Sequence, residues 1–179
     1  SVLAFNLPSI ELINYEADDL IATYVDKILE KGSKVTIVSS DKDLMQLYKK
    51  DVRIFDPMKN KFISDEDIKK KFGVDATKVI DVQALAGDSS DNVPGVPGIG
   101  VKTAAELINK YGNLEKLLKF AHEIKQNKRR ETLIDNKDKA VISKKLVTLK
   151  NDAPITQNLE DFKLKEIDKE KLYKFLREM

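Results

Sequence analysis

Cysteine is absent from this 179-residue chain, which excludes disulfides, thiolate nucleophiles and zinc–sulfur centres. Histidine occurs once, at His122, so neither a multi-imidazole metal site nor a Ser–His–Asp triad with a base to spare can form. No apolar run approaches the roughly 18 residues that a membrane span requires, and no signal peptide opens the chain. These absences imply no membrane partner and are compatible with a reducing, cytoplasmic location. Internal repeats and low-complexity stretches are missing too.

What remains is charge-rich and globular: 41% of residues are apolar and 35% charged. At 20.3 kDa the chain suits one domain or a domain with a small appendage, expected as a monomer, and can bury roughly two-thirds of its unfolded surface. The net charge of +2 hides an asymmetry. Residues 1–100 hold 13 Lys+Arg against 17 Asp+Glu, or −4, and residues 101–179 hold 19 against 13, or +6. An acidic half joined to a basic half hints at metal chemistry beside a polyanion, although a solvated charged surface would give the same count.

Ser1–Pro8 reads as the last turn of a helix stopped by Pro8, the pattern expected of a fragment trimmed at its N-terminus. A β-prone segment at Ser9–Ile13 is followed by a helix over about Ala17–Lys31, with Leu20, Ile21, Tyr24, Val25, Ile28 and Leu29 on one stripe. Lys34–Ser39 is a strong strand, a short helix falls at about Lys42–Leu47, and Val52–Phe55 is another strand. This alternation predicts an α/β fold, a parallel sheet with crossover helices. Asp56-Pro57 breaks the pattern, with a minor strand at Lys61–Ile63. Ser64, with Asp67 three residues on, caps a helix that Gly73 ends. From there the chain reads as helical, over about Ala76–Ala86, Lys102–Tyr111, Leu114–Ala121, Glu131–Asp135, Lys137–Thr148 and Lys169–Glu178.

Three acidic clusters carry the chemical signal. Glu16, Asp18 and Asp19 follow the β-prone segment at a helix N-terminus, where capping alone could explain them. Asp41 and Asp43 follow the Lys34–Ser39 strand, again at a capping position. Parallel strands bring their carboxyl ends to one sheet edge, so the two clusters should face each other across a few ångströms. Their repulsion calls for cations, and packed carboxylates without His or Cys suit Mg²⁺ or Mn²⁺. Asp88 and Asp91, in Gly87-Asp-Ser-Ser-Asp-Asn92, sit at a helix C-terminus, where the dipole opposes them. A loop with Pro94, Pro97, Gly95, Gly98 and Gly100 then leads to Lys102 and Thr103. Glycines and a helix N-terminus followed by a lysine suit a phosphate, and a structural turn remains the alternative.

Tyr15-Glu-Ala-Asp-Asp19, Ser40-Asp-Lys-Asp-Leu44 with Gln46-Leu47, and Gly87-Asp-x-x-Asp-Asn92 leading to Gly95-Val-Pro-Gly-Ile-Gly-Val-Lys-Thr-Ala104 closely resemble the 5′→3′ exonuclease domain of bacterial DNA polymerase I, within the flap endonuclease family. The resemblance covers most of residues 9–119. It implies a PIN-like 5′-nuclease fold, with the C-terminal part of the catalytic domain in residues 1–92. Residues 93–179 would form a helical DNA-binding region with a helix-hairpin-helix-like turn. It implies a metal-dependent phosphodiesterase acting on flaps or nicks in duplex or branched DNA, serving replication and repair, with a polymerase domain fused or cooperating. By carry-over, Glu16, Asp18, Asp19, Asp41, Asp43, Asp88 and Asp91 are metal ligands of a two-metal site, with Glu16, Asp18, Asp41, Asp43 and Asp91 catalytic. Gly98, Gly100, Lys102 and Thr103 hold the duplex by its phosphates, with a monovalent cation such as K⁺ at their turn.

Family members begin with a strand ending in an Asp ligand, then a second Asp and a basic, aromatic arch, and this sequence begins after them. A catalytically incomplete duplex-DNA-binding module is therefore the alternative reading. A signalling receiver domain, which also gathers Asp residues at strand ends, is disfavoured by the helical second half. His122 and the run Lys125-Gln-Asn-Lys-Arg-Arg130 read as surface features, and Lys42 as either a phosphate contact or a salt-bridge partner.

Overall fold

The computed structural model describes residues 2–179; Ser1, where the expected N-terminal turn begins, lies outside them. In chain order the elements are α1 (Ala17–Glu30), β1 (Val35–Val38), β2 (Val52–Asp56), β3 (Lys61–Phe62), α2 (Asp65–Phe72), α3 (Val79–Ala86), α4 (Val101–Tyr111), α5 (Leu114–Lys119), α6 (Asn127–Asp135), α7 (Lys137–Val147) and α8 (Lys169–Glu178). Short 3-10 turns interleave with them. None of these helices is long and apolar enough to cross a membrane.

The chain divides into two compact units, one of residues up to 32 together with 150–179, the other of residues 33–149. In the first, α1 buries Leu20, Tyr24 and Val25 of its expected stripe and also Ala22 and Thr23. Tyr24 meets Phe162 edge to face, with ring centroids 5.0 Å apart, and α8 packs on the Val2–Phe5 turn. The expected strand at Ser9–Ile13 is not formed. A strand needs a partner, and none pairs with this segment among the described residues. Asn14 instead adopts the left-handed conformation (φ 69°), the Tyr15 N–H bonds to the Leu12 carbonyl at 3.2 Å, and Ile13 is left 86% exposed.

The second unit holds a three-stranded sheet of order β1-β2-β3. β1 and β2 run parallel, with Val35 opposite Val52 and Ile37 opposite Ile54, as their β-branched composition suggests. The minor strand expected after Asp56-Pro57 forms as β3 and pairs antiparallel to β2, so the sheet is mixed, with its β1–β2 pair parallel as expected. The cause of the reversal is Asp56. Its buried carboxylate accepts the Met58 and Lys59 N–H groups at 3.0 and 3.1 Å, and with Asn60 at φ 49° it folds Asp56-Pro57 into a hairpin. The link between β1 and β2 is also shorter than a crossover α-helix, a single 3-10 segment at Asp43–Leu47 that buries Leu44 and Met45.

Helices supply most of this unit's core. α3 is buried nearly all round, through Val79, Asp81, Val82, Gln83, Ala84 and Leu85, and packs on α4 and α7. Asp81 meets the Lys144 ammonium of α7 at 2.7 Å, and the same ammonium reaches Glu115 of α5 at 2.7 Å. A buried carboxylate is tolerated only when neutralised in this way.

α2 begins with a reciprocal cap: the Asp67 N–H donates to Ser64 Oγ at 3.3 Å, and the Ser64 N–H donates to Asp67 Oδ2 at 3.0 Å. Lys61 Nζ adds a 2.5 Å contact to the same carboxylate, and with Ser64 it holds the Asp67 carboxyl down at about 2. Because that value is lowered on folding, the bonds contribute stability above the unfolded carboxylate range and lose it as pH falls toward 2. Ser64→Ala should cost about 1 kcal/mol. In urea titrations the difference between the native chain and Asp67→Asn should be constant above about pH 5 and close at lower pH. A gap that persists at pH 2 would refute the assignment.

Candidate metal centre and nucleic-acid interface

The loop from α3 to α4 is built on a backbone contact. Gly87 ends α3 at φ 72° and Gly95 sits at φ 59°. A Cβ on Gly95 would come within 2.5 Å of the Gly87 nitrogen, and one on Gly87 within 2.8 Å of the Val93 carbonyl. Only glycine permits both the conformation and the approach. Asp88 and Val93 exchange backbone hydrogen bonds at 2.9 and 2.8 Å. The Gly95 N–H donates to the buried Ser143 Oγ of α7 at 2.9 Å, and the Val96 N–H to the Leu85 carbonyl at 2.8 Å.

This closed loop presents Asp88 and Asp91 to Asp43, at the start of the 3-10 segment after β1. One carboxylate oxygen from each of Asp43, Asp88 and Asp91 lies within 4.8 Å of the others. Asp41 lines the same cavity, of about 540 Å³, with Ser39, Ser40, Lys42, Lys71 and Ser90. Its Oδ1 accepts the Asp43 N–H at 2.9 Å, and its own N–H donates to Ser39 Oγ at 3.0 Å. Gln83 Nε2, from the buried α3, donates to Asp43 Oδ1 at 2.5 Å and fixes that carboxylate.

The electrostatics are those of crowded anions beside a cation. Burial pushes the Asp43 carboxyl up, and the neighbouring charges of Asp41 and Asp91 push the same way against the Gln83 amide. Asp88 is pulled down by its ion pair with Lys42 and by Ser90, and Asp88 holds Lys42 protonated in turn. Lys71, near the end of α2, completes the cavity wall; burial and the charges of Lys59 and Lys42 push its ammonium down. Nothing local in the sequence singles out Lys71, since it enters the site through the packing of α2.

Glu16, Asp18 and Asp19 belong to the first unit, at the start of α1. Asp19 is committed to the fold there: Oδ2 accepts the Glu16 N–H at 3.3 Å and Oδ1 the Lys150 N–H at 2.8 Å. Tyr15 stacks beneath the Lys150 ammonium, 5.2 Å from its ring centroid. In the second unit, Gly98 takes φ 75° and Gly100 precedes the first turn of α4 without a side-chain cap. A Cβ on either glycine would meet no atom within 4 Å, so both backbones face open space. In the first turn of α4, Lys102 is exposed and Thr103 half-buried. His122 is exposed beside Glu123.

Residues 1–73 match the family model described as 5′-3′ exonuclease, N-terminal resolvase-like domain, and residues 74–170 match that of 5′-3′ exonuclease, C-terminal SAM fold. The chain belongs to the 5′-3′ exonuclease family. It is 52% identical to the DNA polymerase I of Rhizobium leguminosarum over 98% of this chain and 17% of that protein. It is 42% identical to the 5′-3′ exonuclease of Aquifex aeolicus over 97% of this chain and 58% of that protein. Among solved structures it resembles a bacteriophage T5 flap endonuclease in a pseudo-enzyme–product complex with DNA and metal ions. The TM-score is 0.71 at 26% identity, covering 79% of this chain and 53% of that one. The chain thus spans less than two-thirds of the length of these relatives. The fold is that of the PIN-like 5′-nucleases, helix-rich with a small mixed sheet and a SAM-like helical part.

The Gly87–Gly95 contact yields a test of the site's construction. Gly95→Ala should destabilise by at least about 1–3 kcal/mol, since neither the left-handed backbone nor the opposing peptide can yield. Ser143→Ala should cost about 1–3 kcal/mol by stranding the Gly95 N–H. Urea unfolding followed by circular dichroism measures both, and a Gly95→Ala chain of native stability would contradict the geometry.

Proposed function

We propose that this chain is a metal-dependent nuclease module that hydrolyses DNA phosphodiesters as a 5′→3′ exonuclease and 5′-flap endonuclease, in replication and repair. The observation that carries the reading is the convergence of Asp43, Asp88 and Asp91 within 4.8 Å in a chain of this family. The donor set suits a hard divalent cation, Mg²⁺ or Mn²⁺: three carboxylates, with no sulfur or imidazole among them. Asp43, Asp88 and Asp91 would hold the ion with Asp41 beside them. Glu16, Asp18 and Asp19 enter the proposal as further ligands by motif alone. Bound in this way, divalent ions supply an acidified water and neutralise charge on the leaving oxygen.

The chain's own groups do the positioning. Gln83 orients Asp43, and the closed Gly87–Gly95 loop orients Asp88 and Asp91. Lys71 offers an ammonium to a phosphate oxygen at the cavity wall, and Lys42 is released for the same task once a cation replaces it at Asp88. The chemistry falls to residues 1–92 and the duplex grip to residues 93–179, where Gly98, Gly100, Lys102 and Thr103 bind backbone phosphate with a monovalent cation such as K⁺ at the turn. A fused or cooperating polymerase domain belongs to the same proposal. One observation favours the second reading, a duplex-binding module without catalysis: both carboxylate oxygens of Asp19 are already used by backbone N–H groups.

A 5′-labelled flap substrate with Mn²⁺ separates the two readings. Chelator-sensitive cleavage near the junction supports the nuclease; binding without cleavage leaves the duplex-binding module. Asp43→Asn should lower any cleavage by about 10²-fold or more while leaving duplex affinity equal or higher, because a repelling charge is gone. Cleavage at the native rate by this variant would remove Asp43 from the site. Lys102→Ala should weaken duplex binding and reduce the slope of log K against log salt by about 0.9. An unchanged slope would take Lys102 out of the interface.

A further inference from the structure

The basic run Lys125-Gln-Asn-Lys-Arg-Arg130 does not behave as a uniform solvated surface. It forms the start of α6, and its members divide by what they touch. Arg130 is structural: its guanidinium donates to the Ile124 carbonyl at 3.1 Å and to Asn127 Oδ1 at 2.9 Å, tying down the helix start. Lys128 and Arg129 have no ion-pair or hydrogen-bond partner for their charged ends among the described residues. They line a cavity of about 270 Å³ together with Pro97, Gly98, Ile99, Gln126 and Thr132.

Three features of this cavity point to an anion. No carboxylate lines it, although Asp and Glu make up 30 of the 179 residues. Its cations stand in the first turn of α6, which holds no acidic residue. Cations there oppose the helix dipole and cost stability rather than adding it, so intramolecular stability does not account for them. The cavity is shared with the turn at Gly98, where an added Cβ would meet open space. Arg129 can grip two oxygens of a phosphate in a fork, and Lys128 adds a point charge.

We propose that Lys128 and Arg129 form a second phosphate-binding wall, so that duplex DNA held at the Gly98–Gly100 turn is clamped between that turn and the start of α6. The inference rests on the duplex-binding part of the proposed function. The clamp reads no bases, since every partner it offers is suited to the backbone.

The test is equilibrium binding of the full chain to a blunt, fluorescein-labelled duplex in chelator, followed by anisotropy across a salt series. The chains compared are native, Lys128→Ala with Arg129→Ala, Lys128→Glu alone, and Lys102→Ala as the comparison. The double variant should bind about tenfold or more weakly, with a slope of log K against log salt smaller by about 1.8, two phosphate contacts at about 0.9 each. Lys128→Glu, at an exposed position, keeps the test independent of any folding defect in the double variant and should weaken binding at least as much as removal of one contact. A native slope in both variants, with Lys102→Ala still reducing it, overturns the clamp and leaves the duplex reading intact. Absence of salt-dependent duplex binding by the native chain overturns the duplex reading and the clamp with it.

Discussion

Mutual repulsion among Asp43, Asp88 and Asp91 is the constraint around which the second unit is organised. Two carboxylate charges within 4.8 Å of each other repel by about 3 kcal/mol or more at an effective dielectric constant near 20, and a free loop would relieve this by moving apart. The fold does not allow it. Asp88 and Asp91 ride on a loop whose neck is the backbone contact of Gly87 with Gly95. The far side of that neck is bonded to Ser143, and α3 beneath it is buried and clamped by the Asp81–Lys144–Glu115 ion pairs. Lys42 relieves part of the strain by pairing with Asp88, and the Gln83 amide another part at Asp43. A site built this stiffly gains most from a divalent cation, which removes the repulsion without any rearrangement.

Much of this was legible in the sequence because it is local. The Ser64–Asp67 cap, the strands at Lys34–Ser39 and Val52–Phe55, and the helix boundaries at Gly73 and Gly87 follow from residues within a few positions of one another. So does the presence of Asp88 and Asp91 in a glycine-framed turn. What the sequence could not supply depends on contacts between distant segments. Lys71 reaches the carboxylate cavity because α2 packs there, and Ser143 meets the Gly95 N–H from 48 positions away. The division of the 125–130 run into a structural Arg130 and cavity-lining Lys128 and Arg129 likewise depends on where α6 lies against the Gly98 turn.

One misreading and one strand direction left open by the sequence have physical causes. Ser9–Ile13 has the alternation of a strand, but alternation describes a face and not a partner, and a left-handed Asn14 turns the chain instead. Asp56-Pro57 reads as a break with a minor strand after it, and nothing in the pattern gives that strand a direction. The buried Asp56 carboxylate turns that break into a hairpin and adds β3 antiparallel. In both places a single polar residue with a backbone-binding side chain outweighs the pattern of its neighbours.

The connection from Gly87 to Gly100 ties the two chemistries together. It carries Asp88 and Asp91 in its first half and the Gly98–Gly100 turn in its second. The Val96 N–H, bonded to the Leu85 carbonyl at 2.8 Å, fixes its midpoint to the end of α3. Since α3 also packs on α4, neither half can shift against the other without unpacking the core of this unit. In a nuclease built this way, the grip on the phosphate backbone and the carboxylates share one rigid register. The position of the susceptible phosphodiester is then set by distance along the DNA backbone and not by base identity. The acidic first half and basic second half of the chain are the sequence-level trace of that arrangement. On the proposed function, cations at the Gly98 turn and the start of α6 would hold the polyanion, with the carboxylates at a fixed reach from it.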